Sequence, residues 1–325
     1  MKKMRYLSAA VLATSLFSSR LAFSAPYGEY LVTPRPFNGF SILGGDRKKV
    51  LRYYGGPVIS HVKVFVVYWG SEVNTELQVK LKPFYQSILS SNYMDVLAQY
   101  KTDIPAMDGR PGTGQTIGHG NFIGQQTIEP KNQATTLTDR MIQKELSLQI
   151  AKGVLPAPDE NTLYMLYFPQ GIIIKGPGGS GDSCQTFDAY HDGFKALGGA
   201  IFYGVMPDCE ENFESVTVAS SHEMIEAVTD PFPTPGNHPS YPQAWNSTQG
   251  DEVADLCQMG APSYVSGSVS SVVARPWSNS IGTCAKGPWT DGAALSAALS
   301  STIQAKLAPI QAMSSLSMDS LWRGR

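Results

Sequence analysis

No stretch of this chain reaches the roughly 20 consecutive apolar residues that a membrane-spanning helix needs, so an integral anchor is not expected. Long basic runs are also missing, and the formal net charge is slightly acidic at −2. Without a positive stripe there is no electrostatic footprint for nucleic acid or for an anionic membrane surface. The first half of the chain holds no cysteine. The four that occur later, Cys184, Cys209, Cys257 and Cys284, include no Cys-x-x-Cys pair. That spacing argues against a cysteine-ligated metal and for two disulfides in an oxidising compartment. Three pairings are open; the sequential one, Cys184 with Cys209 and Cys257 with Cys284, would staple the stretches on either side of residue 222. The glycine cluster from Gly176 to Gly181 lacks the Lys-Ser/Thr of a P-loop and reads as a loop rather than a phosphate cradle. No internal repeat is visible. A composition of 42% hydrophobic residues with 10% aromatics is too apolar for a disordered chain.

The N-terminus has the form of an export signal. Lys2, Lys3 and Arg5 precede an apolar run from Leu7 to Phe17, and Ala22-Phe23-Ser24 offers small residues at the −3 and −1 positions of a cleavage site. Removing residues 1–24 takes away four basic residues and no acidic one, leaving 21 basic against 27 acidic side chains, a net charge of −6. The expectation is a secreted protein, extracellular or periplasmic, with no membrane attachment after cleavage. About 300 remaining residues suffice for one large domain.

Residues 25–56, rich in Gly, Pro and Tyr, read as an extended lead-in or pro-segment, residues 57–288 as the domain, and residues 289–325 as an Ala/Ser-rich tail. Val62 to Trp69 is β-branched and aromatic and predicts a buried strand. Glu72 to Gln99 has helical spacing, with Pro83 expected to kink or divide it. Ala134 to Lys152 predicts a second helix with Leu137, Met141, Leu146 and Ile150 inward. Strands are expected at Thr162–Phe168 and Gly199–Val205, a helix at Ser215–Thr229, and a hairpin strand at Val269–Trp277. The class is therefore α+β: a mixed sheet packed with helices, followed by a loop-rich, disulfide-stapled C-terminal part.

The chemistry concentrates in His222-Glu223-Met224-Ile225-Glu226. On a helix, His222 and Glu226 lie one turn apart on the same face, and Glu223 sits about 100° round the axis. This is the layout of His-Glu-x-x-His zinc hydrolases with the second histidine replaced by glutamate. His222 and Glu226 are the candidate ligands and Glu223 the candidate general base. Two ligands are too few. Glu252 and Asp255 are the leading candidates to complete the set, with Asp230, His238 and His191 behind them. His191, on an expected loop, is a candidate to stabilise an oxyanion. Zn2+ suits the motif, and a set rich in carboxylates also admits Mn2+, Mg2+ or Ca2+. A peptide or a cell-wall polymer is the expected substrate class. Tyr53-Tyr54 and Tyr241 to Trp245 offer rings for carbohydrate stacking or for the core.

The segment His222-Glu223-x-x-Glu226-Ala227-x-Thr229-Asp230-Pro231, then Trp245, then Glu252-Val253-Ala254-Asp255-Leu256-Cys257, resembles the exordium-like (phosphate-induced protein 1) family of plant cell-wall proteins and bacterial exported relatives. Arg275-Pro276-Trp277-Ser278-Asn279 before Cys284 is similar to that family's closing strand. Tyr190-His191 after Cys184 is similar to its Cys-Gly-Tyr/Phe-His segment, with Asp188-Ala189 in place of Cys-Gly. The resemblance covers residues 160–285 and, loosely, 50–100. It implies an extracellular protein and no particular reaction. The order of elements is itself similar to the catalytic half of zincin metalloproteases, an analogy of fold. Against the metallohydrolase stands a non-enzymatic exported protein that binds wall polymer or a partner, with its metal structural or absent.

Overall fold

The computed structural model describes residues 49–196, 198–233, 238–258, 263–266 and 271–290. The export signal and most of the lead-in and tail fall outside the described residues. In chain order the elements are β1 (Arg52–Tyr53), β2 (Lys63–Trp69), α1 (Thr75–Leu89), β3 (Asn121–Ile128), β4 (Thr136–Thr138), α2 (Asp139–Ala151), β5 (Thr162–Tyr167) and β6 (Ile173–Lys175). There follow β7 (Tyr190–Ala196), β8 (Gly199–Met206), α3 (Phe213–Thr229), β9 (Trp245–Asn246), β10 (Ser263–Ser266), β11 (Ser271–Val273), β12 (Trp277–Ser278), β13 (Thr283–Cys284) and β14 (Trp289–Thr290).

A five-stranded mixed sheet in the order β3-β2-β5-β8-β7 forms the centre. Its first four strands are parallel, and β7 joins β8 antiparallel at the edge. Strand β5, Thr-Leu-Tyr-Met-Leu-Tyr, is buried at every position, as a parallel strand covered on both faces should be. Val67, Trp69, Tyr164, Leu166, Tyr203 and Val205 turn to the side that packs Ile142 and Leu146 of α2. The other side carries α1 and α3. This is the expected α+β class.

Three expectations needed adjustment. Pro83 lies inside α1, and the break comes at Ser90, before a separate 3-10 segment at Met94–Gln99. The second helix starts at Asp139, capped by Thr138, whose hydroxyl accepts the Met141 N–H. Its inner face begins with Asp139, which accepts from the hydroxyls of Tyr190 (2.8 Å) and Tyr203. That rotation leaves Met141 41% exposed. Third, residues 190–196 are a strand where a loop was expected.

The end of the lead-in is part of the domain. β1 pairs with β9, and the Asn279 amide brackets Leu51, accepting its N–H and donating to its carbonyl. Helix α3 is buried throughout from Thr217 to Thr229, because the sheet lies on one side and β11 on another. A helix enclosed on all sides must satisfy its polar groups inside. Ser221 Oγ accepts the Ala274 N–H at 2.9 Å, and Ser220 hydrogen-bonds the Tyr167 hydroxyl at 2.7 Å.

Both disulfides form sequentially, Cys184–Cys209 and Cys257–Cys284, with separations of 25 and 27 residues. Loop-closure entropy gives each about 3–4 kcal/mol of stabilisation. The first ties the approach to β7 to the exit of β8, and the second ties the 255–257 turn to β13. Such bonds fit an oxidising, extracellular compartment. Among the described residues no helix is long and apolar enough to cross a membrane.

Candidate metal centre

Three parts of the chain converge beside α3. The helix supplies His222, Glu223 and Glu226, all 2–3% exposed. Its start is fixed by Asn212, whose side chain accepts the Ser215 N–H at 2.9 Å. From His222 the i, i+4 spacing delivers Glu226 to the same face, placing His222 Nε2 3.1 Å from Glu226 Oε1.

The 252–257 segment arrives opposite this pair. Glu226 Oε1 accepts the backbone N–H groups of Ala254 (3.3 Å) and Asp255 (3.1 Å), which docks the segment on the helix. Asp255 Oδ1 then lies 3.4 Å from His222 Nε2, and Asp255 Oδ2 accepts the Glu252 N–H. His222, Glu226 and Asp255 thus offer three ligand atoms within 4.8 Å of one another.

Strand β7 brings the third part. His191 faces α3 across from Gly204 of β8. Its Nδ1 is 3.1 Å from Glu223 Oε2 and 3.9 Å from Glu226 Oε2, so His191, Glu223 and Glu226 form a second group within the same 4.8 Å limit. The ring's Nε2 lies 3.1 Å from the Asp230 carbonyl. A carbonyl only accepts, so Nε2 donates there; in the protonated ring Nδ1 donates to Glu223, and only on losing that proton does it turn a lone pair to the carboxylates. Glu252 Oε1 lies on the Nε2 side of the ring, at 3.4 Å.

These placements sort the expected site residues. Glu226 is shared by both groups. Asp255 joins His222, and Glu252 stands behind His191 instead of beside His222. Asp230 turns its carboxylate to the Ala244 N–H (2.8 Å) and the Asn246 side-chain amide (2.7 Å), clamping the exit of α3. His238 is exposed and belongs to neither group. His191 was expected on a loop and lies on the edge strand instead. Asn246 had no signal in the sequence beyond its place next to Trp245. Of the rings offered for carbohydrate stacking, Tyr53 and Trp245 are core, 5.5 Å apart. Tyr241 is exposed, with the Arg110 guanidinium 4.0 Å from its ring centre.

The electrostatics follow from the crowding. Burial acts to lower the His191 pKa, but Glu252 and Glu223 outweigh it and hold the ring well above its ordinary 6.5. Glu226 and Asp255 do the same for His222. Burial, then the charge of Asp255, pushes Glu226 up to about 8 against the pull of His222. Asp255 is held below the ordinary range, since His222 and the Glu252 N–H overcome its burial. Two oxygens in the cluster, Glu252 Oε1 and Asp255 Oδ1, are buried and make no well-aligned hydrogen bond, each having only an imidazole nitrogen 3.4 Å away. Buried carboxylate oxygens left this way are costly unless a cation joins them.

No protein-family model, curated protein or solved structure matches this chain.

What the site can do is therefore read from its own atoms. One imidazole with two carboxylates is a donor set for Zn2+ and, being rich in oxygen, also for Mn2+, Mg2+ or Ca2+. His191, with its far nitrogen tied to a carbonyl and its near one turned inward, has the orientation of a metal-ligating histidine.

Proposed function

We propose that this chain is an exported, metal-dependent hydrolase of zincin-like design, acting on peptide bonds. The observation that carries the reading is the buried cluster itself: Glu223, Glu226, Glu252 and Asp255 against two imidazoles, with two carboxylate oxygens making no well-aligned hydrogen bond. His222, Glu226 and Asp255 would hold the ion. When bound, such an ion supplies Lewis acidity, polarising a carbonyl oxygen and making water ionisable near neutral pH. Glu223, beside the ion's ligands on the same helix, accepts the proton that the attacking water gives up. His191 holds Glu223 in place through Nδ1, and Glu252 and the Asp230 carbonyl hold His191. The resemblance to exordium-like proteins, the export signal over residues 1–24 and the disulfides together support action outside the cytoplasm.

A second reading has its own observation. His191, His222, Glu223 and Glu226 are at most 3% exposed, and an enclosed ion is the mark of a structural site, whereas catalytic sites keep an open position. On that reading the chain is a non-enzymatic exported protein that binds wall polymer or a partner. Elemental analysis of the purified mature protein beside His222→Ala and Glu226→Ala tests the shared premise. Bound transition metal that falls in both variants supports it; a wild type that takes up no metal even on reconstitution ends it. Peptide hydrolysis by the loaded wild type, abolished in Glu223→Gln, separates enzyme from structural site.

A further inference from the structure

Glu226 divides its two oxygens. Oε1 faces His222 Nε2 at 3.1 Å, on the side of Asp255. Oε2 faces His191 Nδ1 at 3.9 Å, on the side of Glu223. Each side has one imidazole nitrogen and one further carboxylate, and each is compact enough to surround a cation. One side alone would have called for a single ion. Two such sides sharing one carboxylate repeat the pattern of a bridged pair, in which ions sit about 3.5–4 Å apart.

Charge leads to the same count. Asp230 is satisfied by Ala244 and Asn246, which leaves Glu223, Glu226, Glu252 and Asp255 as the carboxylates of the cluster. Imidazoles that ligate a metal are neutral, so one divalent ion on the His222 side, with His191 still carrying its second proton, leaves one buried negative charge uncompensated, and two ions leave none. Isolated buried charge is strongly disfavoured. Glu252, 6% exposed, brings its Oε1 to 3.4 Å from His191 Nε2, behind the ring.

Building on the metal reading above, we infer that the centre holds two divalent cations bridged by Glu226, one with His222 and Asp255, the other with His191 Nδ1 and Glu223. Glu252 and the Asp230 carbonyl orient His191 from behind. Glu223, ligating through Oε2, keeps its other oxygen for the proton.

The test is Mn2+ binding to the full mature chain, by equilibrium dialysis with elemental analysis and by low-temperature electron paramagnetic resonance. Two equivalents with an exchange-coupled signal are expected in the wild type, and one equivalent with an uncoupled signal in His191→Gln and in Glu223→Gln. A wild type that saturates at one uncoupled equivalent overturns the two-ion centre and leaves the single-ion reading standing. Saturation at zero overturns both. Retention of two coupled equivalents in both variants overturns the assignment of the second site. If the variants fail to fold, the wild-type count and spectrum decide.

Discussion

Glu211 stands just before α3, outside the His191–His222 carboxylate cluster, with Asp188 and Asp208 nearby. Burial first, then the charges of those two residues, raises its pKa to about 7 from an ordinary 4.5. A carboxyl raised by folding binds its proton more tightly in the native state than in the unfolded one. Its contribution is therefore most favourable below about pH 4.5, and stability is lost as pH climbs toward 7. The residue as a whole keeps an exposed surface while its carboxyl is only partly desolvated, so screening keeps the loss to about 1 kcal/mol or less. Glu211→Gln should flatten this part of the stability profile: melting curves from pH 4 to 8 should show the variant gaining on the wild type as pH rises. Parallel profiles would remove Glu211 from the account. Side chains on one helix were the legible part of the site. His222, Glu223 and Glu226 follow from a periodicity that any helix obeys. Which of Glu252 and Asp255 faces His222 did not follow, because the docking of their segment depends on two backbone N–H groups meeting Glu226 Oε1, and backbone groups leave no trace in residue type.

Strand β7 shows what the sequence hides at the level of an element. Tyr190-His191-Asp192-Gly193-Phe194-Lys195-Ala196 contains an Asp-Gly pair that reads as a turn, and its polar positions blur the alternation. The usable signal was downstream, in Gly198-Gly199, whose positive φ values permit the reversal into β8. His191 therefore went to a loop, and its pairing with α3 went unseen. Gly193 is the residue that lets β7 lie where it does. A Cβ there would stand 2.4 Å from the Pro231 carbonyl oxygen and 2.9 Å from the Phe202 ring. The first is backbone at the exit of α3 and cannot rotate aside. Gly193→Ala should thus cost about 1–3 kcal/mol by overpacking and should push β7 away from α3. The denaturation midpoint and the metal content of the variant should both fall. A variant of wild-type stability and metal content would show that β7 is not held against α3 in this way.

At the scale of the molecule, the class was legible because β2 is a β-branched and aromatic run and β5 and β8 are short apolar ones, and such runs between helical stretches imply a covered sheet. The enclosure of α3 was not. Thr217, Ser220, Ser221 and Thr229 lie buried on it, and buried hydroxyls satisfied within their own helix or by a neighbour look like surface residues in a sequence. The enclosure has a thermodynamic consequence. The cluster joins β7, α3 and the 252–257 segment, which the Cys257–Cys284 disulfide fixes to β13, so an ion bound there would add a link to parts that otherwise meet through histidine–carboxylate pairs and two backbone N–H bonds. Binding to the native state alone stabilises by about 3–4 kcal/mol when free ion stands at 100 to 1,000 times its dissociation constant. For a domain of this size each kcal/mol moves the melting temperature by about 2–4 °C. Chelator-stripped protein should therefore melt roughly 5–15 °C below the loaded form, and Mn2+ or Zn2+ should restore the difference in the wild type but not in Glu226→Ala. Equal melting temperatures with and without chelator would mean that the crowded carboxylates are balanced by the two imidazoles alone. In that case the cluster would be an ion-pair network holding the edge strand to the helix, and its place in a hydrolase would be lost along with the metal.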